Sequence, residues 1–272
     1  MAELARYLAR IGFVSEPRPD LATLQEIVGL HVAAFPFEAL DVQLGNPPGL
    51  DPAAHFAKLV EGGRGGWCYE QNGLLGEMLR SIGFHVTRLS AAVMRQVRGQ
   101  ASHGTHLALR VDLDRSYLVD AGFGGSTTQP LPMEEGKWSD RPFRVSLAKL
   151  DDGWWRFSEK LGEAEPFSFD FLDQPADDRE LARLCAWQGS APDSNFVANL
   201  VAQRRVGDTH RTLRGKVLSE TGPGGTTRRE LDDADDLVGT LREKFDLDLP
   251  QVASRWPAIV ARHHELYGGT VS

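Results

Sequence analysis

Cysteine is scarce in this chain, since only Cys68 and Cys185 occur among its 272 residues. We also expect no secretory leader, because charged residues such as Glu3 and Arg6 interrupt the apolar positions of segment 1–13, which is typical of an amphipathic helix. Proteins of the reducing cytoplasm rarely form disulfides. We therefore expect a cytoplasmic protein whose two thiols are free.

Long apolar runs and metal-ligand spacings are absent as well. No stretch of about 18 apolar residues exists, so we expect no membrane span. The cysteines are single, and His85, His103 and His106 show no paired spacing, which argues against a metal site. The glycine-rich segment 122–125 lacks the Gly-Lys-Ser/Thr ending of a Walker A motif, so nothing indicates nucleotide hydrolysis.

Positive charge is in deficit. The net charge is −8, from 38 acidic and 30 basic residues, and acidic residues crowd at 232–236. Such a surface repels nucleic acid and anionic membranes. We expect neither as a partner.

What is present favours an α+β protein. With 41% hydrophobic residues in 272, the chain can bury a substantial core. In its first part, apolar residues recur at helical spacing. The predicted helices cover about 1–13, 20–34 and 52–60, followed by one that carries Cys68.

The rest of the chain alternates between apolar and polar residues in short segments, as half-buried strands do. Segments such as 86–89 and 154–157, separated by Gly, Pro and Asp, predict an antiparallel sheet or barrel. Strands around 197–217 and a helix over 232–245 are predicted after it. The predicted domains are 1–86 (helical, with the nucleophile), 87–185 (β-barrel) and 186–272 (α/β).

The sequence RGGWCYEQN at 64–72 places one thiol behind two glycines at the start of a predicted helix. Beyond Cys68, apolar residues at 74, 75, 78, 79 and 82 share a helical face that Gly83 ends. The free N–H groups and positive dipole at a helix N-terminus favour thiolate over thiol. Cys68 is therefore a candidate nucleophile, and the alternative is a small buried hydrophobic residue.

A predicted hairpin supplies a base and a carboxylate. Segment 105–111 alternates as a strand, and 117–121 is predicted to return beside it. A turn centred on Leu113 places His106 opposite Asp120, with Cβ atoms roughly 4.5 to 5.5 Å apart, and an offset of two residues still keeps both on one face. An offset of one residue would send them to opposite faces.

The three side chains have complementary tasks. His106 is suited to take the proton of Cys68, and Asp120 to orient the imidazole and stabilise its charged form. The alternatives are a hydrogen-bonded core histidine and a carboxylate that caps the loop after its strand. Each alternative explains one residue well, whereas the coincidence of all three favours covalent catalysis.

These residues resemble the arylamine N-acetyltransferase family. RGGWCYEQN matches the family's nucleophile motif, Arg-Gly-Gly-x-Cys-x-Glu-x-Asn, and 105–111 and 120–124 resemble its histidine and aspartate segments. Segment 36–40 resembles its Pro-Phe-Glu-Asn-Leu, with Ala39 in place of asparagine, and Ala121 replaces a frequent valine. The resemblance is strongest over about 35–132 and thin beyond 190.

The resemblance implies a fold with an N-terminal helical bundle, a central antiparallel β-barrel and a C-terminal α/β lid, with a Cys-His-Asp triad like that of cysteine proteases. It implies ping-pong transfer of an acetyl group from acetyl-CoA, through a Cys68 thioester, to arylamines, arylhydrazines or hydrazides. Acetyl-CoA is then a co-substrate and no cofactor is tightly bound. A homodimer is compatible with this interpretation.

The resemblance also assigns roles to further residues. It implies a structural ion pair between Arg64 and Glu70 beneath the nucleophile. The implied acceptor pocket is lined by Phe37, Tyr69, Val93 and Phe123. The implied coenzyme contacts are Thr105, Gly124, Gly125, Ser126 and Thr127, in part through exposed backbone N–H groups that would receive pyrophosphate oxygens.

Three other functions use the same residues differently. A transglutaminase-like cysteine hydrolase sends the acyl group to water or another amine. An amide synthase of the same fold joins an acyl chain to an aromatic amine in a biosynthetic pathway. A non-catalytic binding module uses Cys68 for packing only.

Overall fold

Helices form at the predicted positions in the first third of the chain. In the computed structural model, which describes residues 2–125 and 127–268, Asp20 begins the second helix by accepting a 2.8 Å hydrogen bond from the Thr23 amide. Gly83 ends the helix that carries Cys68, at a φ of 111° that disfavours a side chain. The elements are α1 (Ala2–Ile11), α2 (Leu21–Ala34), β1 (Phe37–Glu38), α3 (Leu40–Gln43), α4 (Pro52–Phe56), a π-helical turn (Ala57–Glu61) and α5 (Cys68–Ile82).

An antiparallel sheet of eight strands follows, in the order β5-β4-β3-β2-β9-β8-β7-β6. Its strands are β2 (His85–Val93), β3 (His106–Asp112), β4 (Ser116–Val119), β5 (Leu131–Pro132), β6 (Gly136–Asp140), β7 (Phe143–Lys149), β8 (Trp155–Leu161) and β9 (Phe167–Phe171), with α6 (Arg95–Arg98) and a 3₁₀ turn (Gly99–Ser102) between β2 and β3. Over the described residues β5 and β6 are unjoined edges, and β5 has only two residues to pair. The sheet is therefore a curled half-barrel, which corrects the predicted closed barrel.

The hairpin of β3 and β4 differs from the predicted register by two residues. Asp112 pairs with Ser116, and Leu109 with Val119, so the turn is centred on Asp114 rather than Leu113. His106 and Asp120 are therefore diagonal neighbours and not directly opposed. Because the offset is even, both still lie on one face of the sheet.

The faces of α1, α2 and α5 share a core with this sheet. Tyr7, Leu24, Leu75 and Leu109 are fully buried there. Full burial of such side chains stabilises a fold by about 1.5–3 kcal/mol each. The packing of α5 on β3 fixes the helix N-terminus, and with it Cys68, beside the strand that begins at His106.

Among the described residues, the other five strands form a second sheet, in the order β1-β10-β11-β12-β13. The elements are α7 (Asp178–Ser190), α8 (Asn195–Ala198), β10 (Val201–Val206), β11 (Thr209–Arg214), β12 (Val217–Gly222), β13 (Gly225–Glu230), α9 (Ala234–Phe245), a 3₁₀ turn (Pro250–Arg255) and α10 (Trp256–Tyr267). The helix predicted over 232–245 is confirmed. Because β1 pairs with β10, Phe37 facing Gln203, this sheet reaches the segment just before the nucleophile motif.

The three domain boundaries given above stay a prediction.

None of the helices in residues 2–125 and 127–268 is both long and apolar enough to cross a membrane.

Candidate active site

Cys68 is the first residue of α5 and is 3% exposed. The two glycines before it are required by close packing, since a Cβ on Gly65 would collide with the Pro36 carbonyl and one on Gly66 with the Glu70 carboxylate. The loop after β4 passes over the cysteine, because a Cβ on Gly122 would lie 2.6 Å from the Cys68 Cα. The thiol is therefore held at the positive end of the helix dipole, where negative charge is stabilised.

His106 and Asp120 contact each other beside this thiol. His106 Nε2 lies 2.6 Å from Asp120 Oδ2, and both residues are buried. Burial lowers the pKa of His106, but the charge and hydrogen bond of Asp120, together with the hydrogen bond and charge of Cys68, outweigh it and raise that pKa to about 10. At neutral pH this raised pKa favours the imidazolium form of His106.

Asp120 is held by more than His106. Its Oδ1 accepts hydrogen bonds of 2.8 Å from Asn72 Nδ2 and from the Gly122 amide. Asn72 also donates to the Leu107 carbonyl at 2.6 Å and accepts from the Ala121 amide at 2.9 Å. The Asn72 side chain therefore holds the Asp120 carboxylate and also the backbone at Leu107 and Ala121. Asn72 is a site residue that the sequence interpretation missed. Its spacing of four from Cys68, which places both on one helical face, was the available signal.

The cysteine and histidine form part of the wall of a cavity of about 360 Å³. The ring of His106 lies between Phe123 and Phe169, with centroid distances of 5.0 and 4.8 Å. The cavity is lined by Phe37, Cys68, Val93, Arg98, Thr105, His106, Gly122, Phe123, Phe167, Gln188, Asn195, Phe196, Val201, Gln203, Thr212 and Arg214. A cavity of this size, lined by aromatic and aliphatic side chains together with polar ones, is suited to a small flat ligand.

Phe37, Val93 and Phe123, three of the four predicted pocket residues, line this cavity. Tyr69 does not, which corrects the prediction. It is fully buried, where its hydroxyl donates to the Gly104 carbonyl and receives a hydrogen bond from Gln188. The next residue after Cys68 on a helix points away from the cysteine's face, so Tyr69 packs behind the cavity.

Of the residues predicted to contact coenzyme, Thr105 lines the cavity. Gly124, Gly125 and Thr127 are buried instead of exposed, and the carbonyls of the two glycines accept hydrogen bonds from His210 and Arg205. The loop is therefore packed under the five-stranded sheet, which corrects the expectation of an exposed loop. Ser126 lies outside the described residues.

The predicted ion pair between Arg64 and Glu70 is wrong. Arg64 lies 2.6 Å from Glu38 and 3.0 Å from Asp41, whereas Glu70 lies 2.9 Å from Lys58. The Glu70 carboxylate also accepts from the Trp67 amide, which turns it toward its own helix end. Burial raises the pKa of Glu70 to about 7 against the opposing charge of Lys58. Glu38, fully buried, was another residue that sequence reasoning missed, although it lies in the Pro-Phe-Glu segment.

The geometry agrees with comparisons to known proteins. A family described as N-acetyltransferase matches residues 20–253. The arylamine N-acetyltransferase of Mycolicibacterium smegmatis is 38% identical over 265 residues, covering 93% of this chain and 94% of that protein. The chain belongs to the arylamine N-acetyltransferase family.

Solved structures place this arylamine N-acetyltransferase family member in the same fold. The Mycobacterium smegmatis enzyme superimposes with a TM-score of 0.84 at 36% identity, covering 96% of this chain and 97% of that one. The Mycobacterium marinum enzyme in complex with CoA gives 0.85 at 31% identity, covering 95% and 97%. The chain is accordingly an acyltransferase of the family.

Proposed function

We propose that this enzyme transfers an acetyl group from acetyl-CoA to arylamines, arylhydrazines or hydrazides through a thioester on Cys68. The observation that carries the proposal is the buried contact of 2.6 Å between His106 and Asp120, with the Cys68 side chain and the His106 imidazole in the wall of one cavity. The relative solved with CoA supports acetyl-CoA as the donor.

In the first half of the reaction, the Cys68 thiolate attacks the acetyl carbonyl carbon of acetyl-CoA. The bond between that carbon and the coenzyme sulfur breaks, and the leaving thiolate takes the proton from the His106 imidazolium. Free coenzyme departs and the acetyl group stays on Cys68. Covalent catalysis of this kind divides one difficult transfer into two easier steps.

In the second half, the amine nitrogen attacks the thioester carbonyl. His106, now neutral, takes the proton that the amine loses, and the carbon–sulfur bond breaks to release the amide and restore the thiolate. Asp120 stabilises the charged imidazole whenever it forms. The aromatic part of the cavity wall, Phe37, Phe123 and Phe167, supports an aromatic amine as the acceptor.

The third part of the chain contributes to the cavity as well. Phe196, Val201 and Gln203 line it together with residues of α5 and the half-barrel. We propose that this part acts as the lid over the acetyl-cysteine, and that Thr105, which lines the cavity, meets the coenzyme.

Intact-mass measurement tests the proposal. The wild-type protein, incubated with acetyl-CoA alone, is expected to gain one acetyl group on Cys68 and to lose it when 4-methoxyaniline is added, with the N-acetyl product appearing. Cys68→Ala and Cys68→Ser are expected to gain none and to turn over nothing. Wild-type turnover by Cys68→Ala would refute the mechanism, and loss of the acetyl group to water at the same rate without amine would indicate a hydrolase.

A further inference from the structure

Phe167 is a large aromatic side chain that remains 41% exposed. It begins β9, where Phe169 and Phe171 on the same face are fully buried. A single exposed apolar residue requires no explanation by itself. Phe167 differs because its ring forms part of the wall of the cavity that contains Cys68 and His106.

The ring of Phe167 continues an aromatic wall that starts at the imidazole. Phe123 lies 5.0 Å from His106, and Phe167 stacks almost parallel on Phe123, with 5.0 Å between centroids and 10° between planes. Phe169 supports Phe123 from the side, edge to face, at 4.9 Å. The ring of Phe123 therefore lies next to His106, and the ring of Phe167 lies beyond Phe123.

The position of the acceptor follows from this order. Its amine nitrogen must reach the acetyl carbon on Cys68 and the ring nitrogen of His106, so its own ring lies along Phe123. A group attached on the side remote from the amine then extends toward Phe167. An aromatic group there gains a contact in the offset or edge-to-face arrangement that aromatic pairs prefer.

We propose that Phe167 is a specificity-determining residue that selects acceptors carrying a second aromatic ring on the side remote from the amine. This inference rests on the proposed acetyl transfer, and deepens it by naming the substrate class. The selection is made in the second half of the reaction, where the coenzyme has left and the amine takes its place beside acetyl-Cys68.

Two amines that differ by one ring test the proposal. 4-Phenoxyaniline and 4-methoxyaniline both carry an oxygen opposite the amine, so their nitrogens have similar reactivity. Their kcat/KM values are compared at saturating acetyl-CoA in wild type, Phe167→Ala and Phe167→Tyr, with Trp187→Ala as matched control. Trp187 is an aromatic residue of similar exposure, 39%, that does not line the cavity.

Wild type is expected to prefer the two-ring amine. Phe167→Ala should lower its kcat/KM by roughly threefold to tenfold, the range of one aromatic contact, while the one-ring amine changes less than twofold. Phe167→Tyr and Trp187→Ala should keep the wild-type preference. Cys68 acetylation is common to both amines, so any change in its rate does not alter the ratio of their kcat/KM values.

An equal loss for both amines, or no loss for either, would overturn the role of Phe167, as would a wild type without preference. These outcomes are separate from failure of the proposed function, which would appear as the absence of acetyl-Cys68 in wild type.

Discussion

Asn72 and Asp120 are joined by a hydrogen bond of 2.8 Å from the amide Nδ2 to Oδ1, while Oδ2 faces His106. Asn72 lies one helical turn beyond Cys68, so the helix that presents the nucleophile also fixes the carboxylate that orients the base. This hydrogen bond joins α5 to the segment that follows β4. Cys68 and His106 likewise belong to α5 and β3.

Replacing this amide should impair chemistry through Asp120. Asn72→Ala removes a hydrogen bond to a charged group, a loss of about 1.5–3 kcal/mol, so we expect kcat/KM for acetyl-CoA to fall roughly 10- to 100-fold. The pH profile of Cys68 alkylation by iodoacetamide should also move to higher pH, because a less fixed Asp120 supports the imidazolium less. Asn46→Ala, at an exposed position, is the control. A stability loss without any change in that profile would show that Asn72 has a structural role only.

Asp120→Asn should separate the charge of this residue from its shape. The amide keeps most contacts, but the charge that holds up the pKa of His106 is gone, and burial then lowers that pKa. We expect single-turnover acetylation of Cys68 by acetyl-CoA to slow by roughly 10³- to 10⁴-fold, as for the equivalent change in serine proteases. Rapid-quench mass spectrometry measures it. A decrease below tenfold would mean that Asp120 does not stabilise the charged imidazole.

The buried ion pairs of Glu38, behind Cys68, should contribute to the free energy of unfolding. Arg64→Ala leaves Glu38, which is fully buried, with the Lys58 ammonium at 3.6 Å and the Leu40 amide at 2.8 Å as its partners. Breaking a buried pair typically costs about 3–5 kcal/mol, so we expect a loss near the lower end of that range in urea unfolding. Arg18→Ala breaks an exposed pair with Glu16, and should cost less than about 1 kcal/mol. Equal effects of the two substitutions would contradict a structural role for Arg64.

Much of the site could be predicted because its signals are local. The period of α5 and the two glycines before it located Cys68, and alternation in β3 placed His106 on the correct face. The register was wrong by two residues because Asp112, Asp114 and Ser116 are equally good turn residues. Only the folded hairpin selects among them.

What failed depends on contacts between distant segments. The partners of Arg64 were mistaken because Glu38 and Asp41 approach it from a separate part of the chain, which spacing within one motif does not reveal. The closed barrel failed for a similar reason, since strand alternation predicts a sheet but not whether its edge strands meet.

A buried histidine should make stability depend on pH. His31 is fully buried between Tyr7 and Gln71, at 2.8 and 2.9 Å. Gln71 uses its Nε2 to donate to the Phe35 and Pro36 carbonyls, so its Oε1 must accept from His31 Nε2, and the other ring nitrogen accepts from Tyr7. This network fits the neutral ring, and burial lowers the pKa of His31 to about 4 despite the bond to Gln71.

Between pH 6.5 and about 4 the unfolded state therefore binds a proton at His31 that the folded state does not. Stability is fully present above that range and is lost as pH falls, by at most about 1.4 kcal/mol per pH unit. In urea unfolding at a series of pH values, His31→Gln should be less stable than wild type at pH 7 but should lose stability less steeply below pH 6.5. His264→Gln, at an exposed position, should keep the wild-type slope. Burial also lowers the pKa of His210 to about 4, so His31→Gln should keep part of the dependence of unfolding free energy on pH. If that dependence were the same in His31→Gln as in wild type, His31 would be protonated in the folded protein.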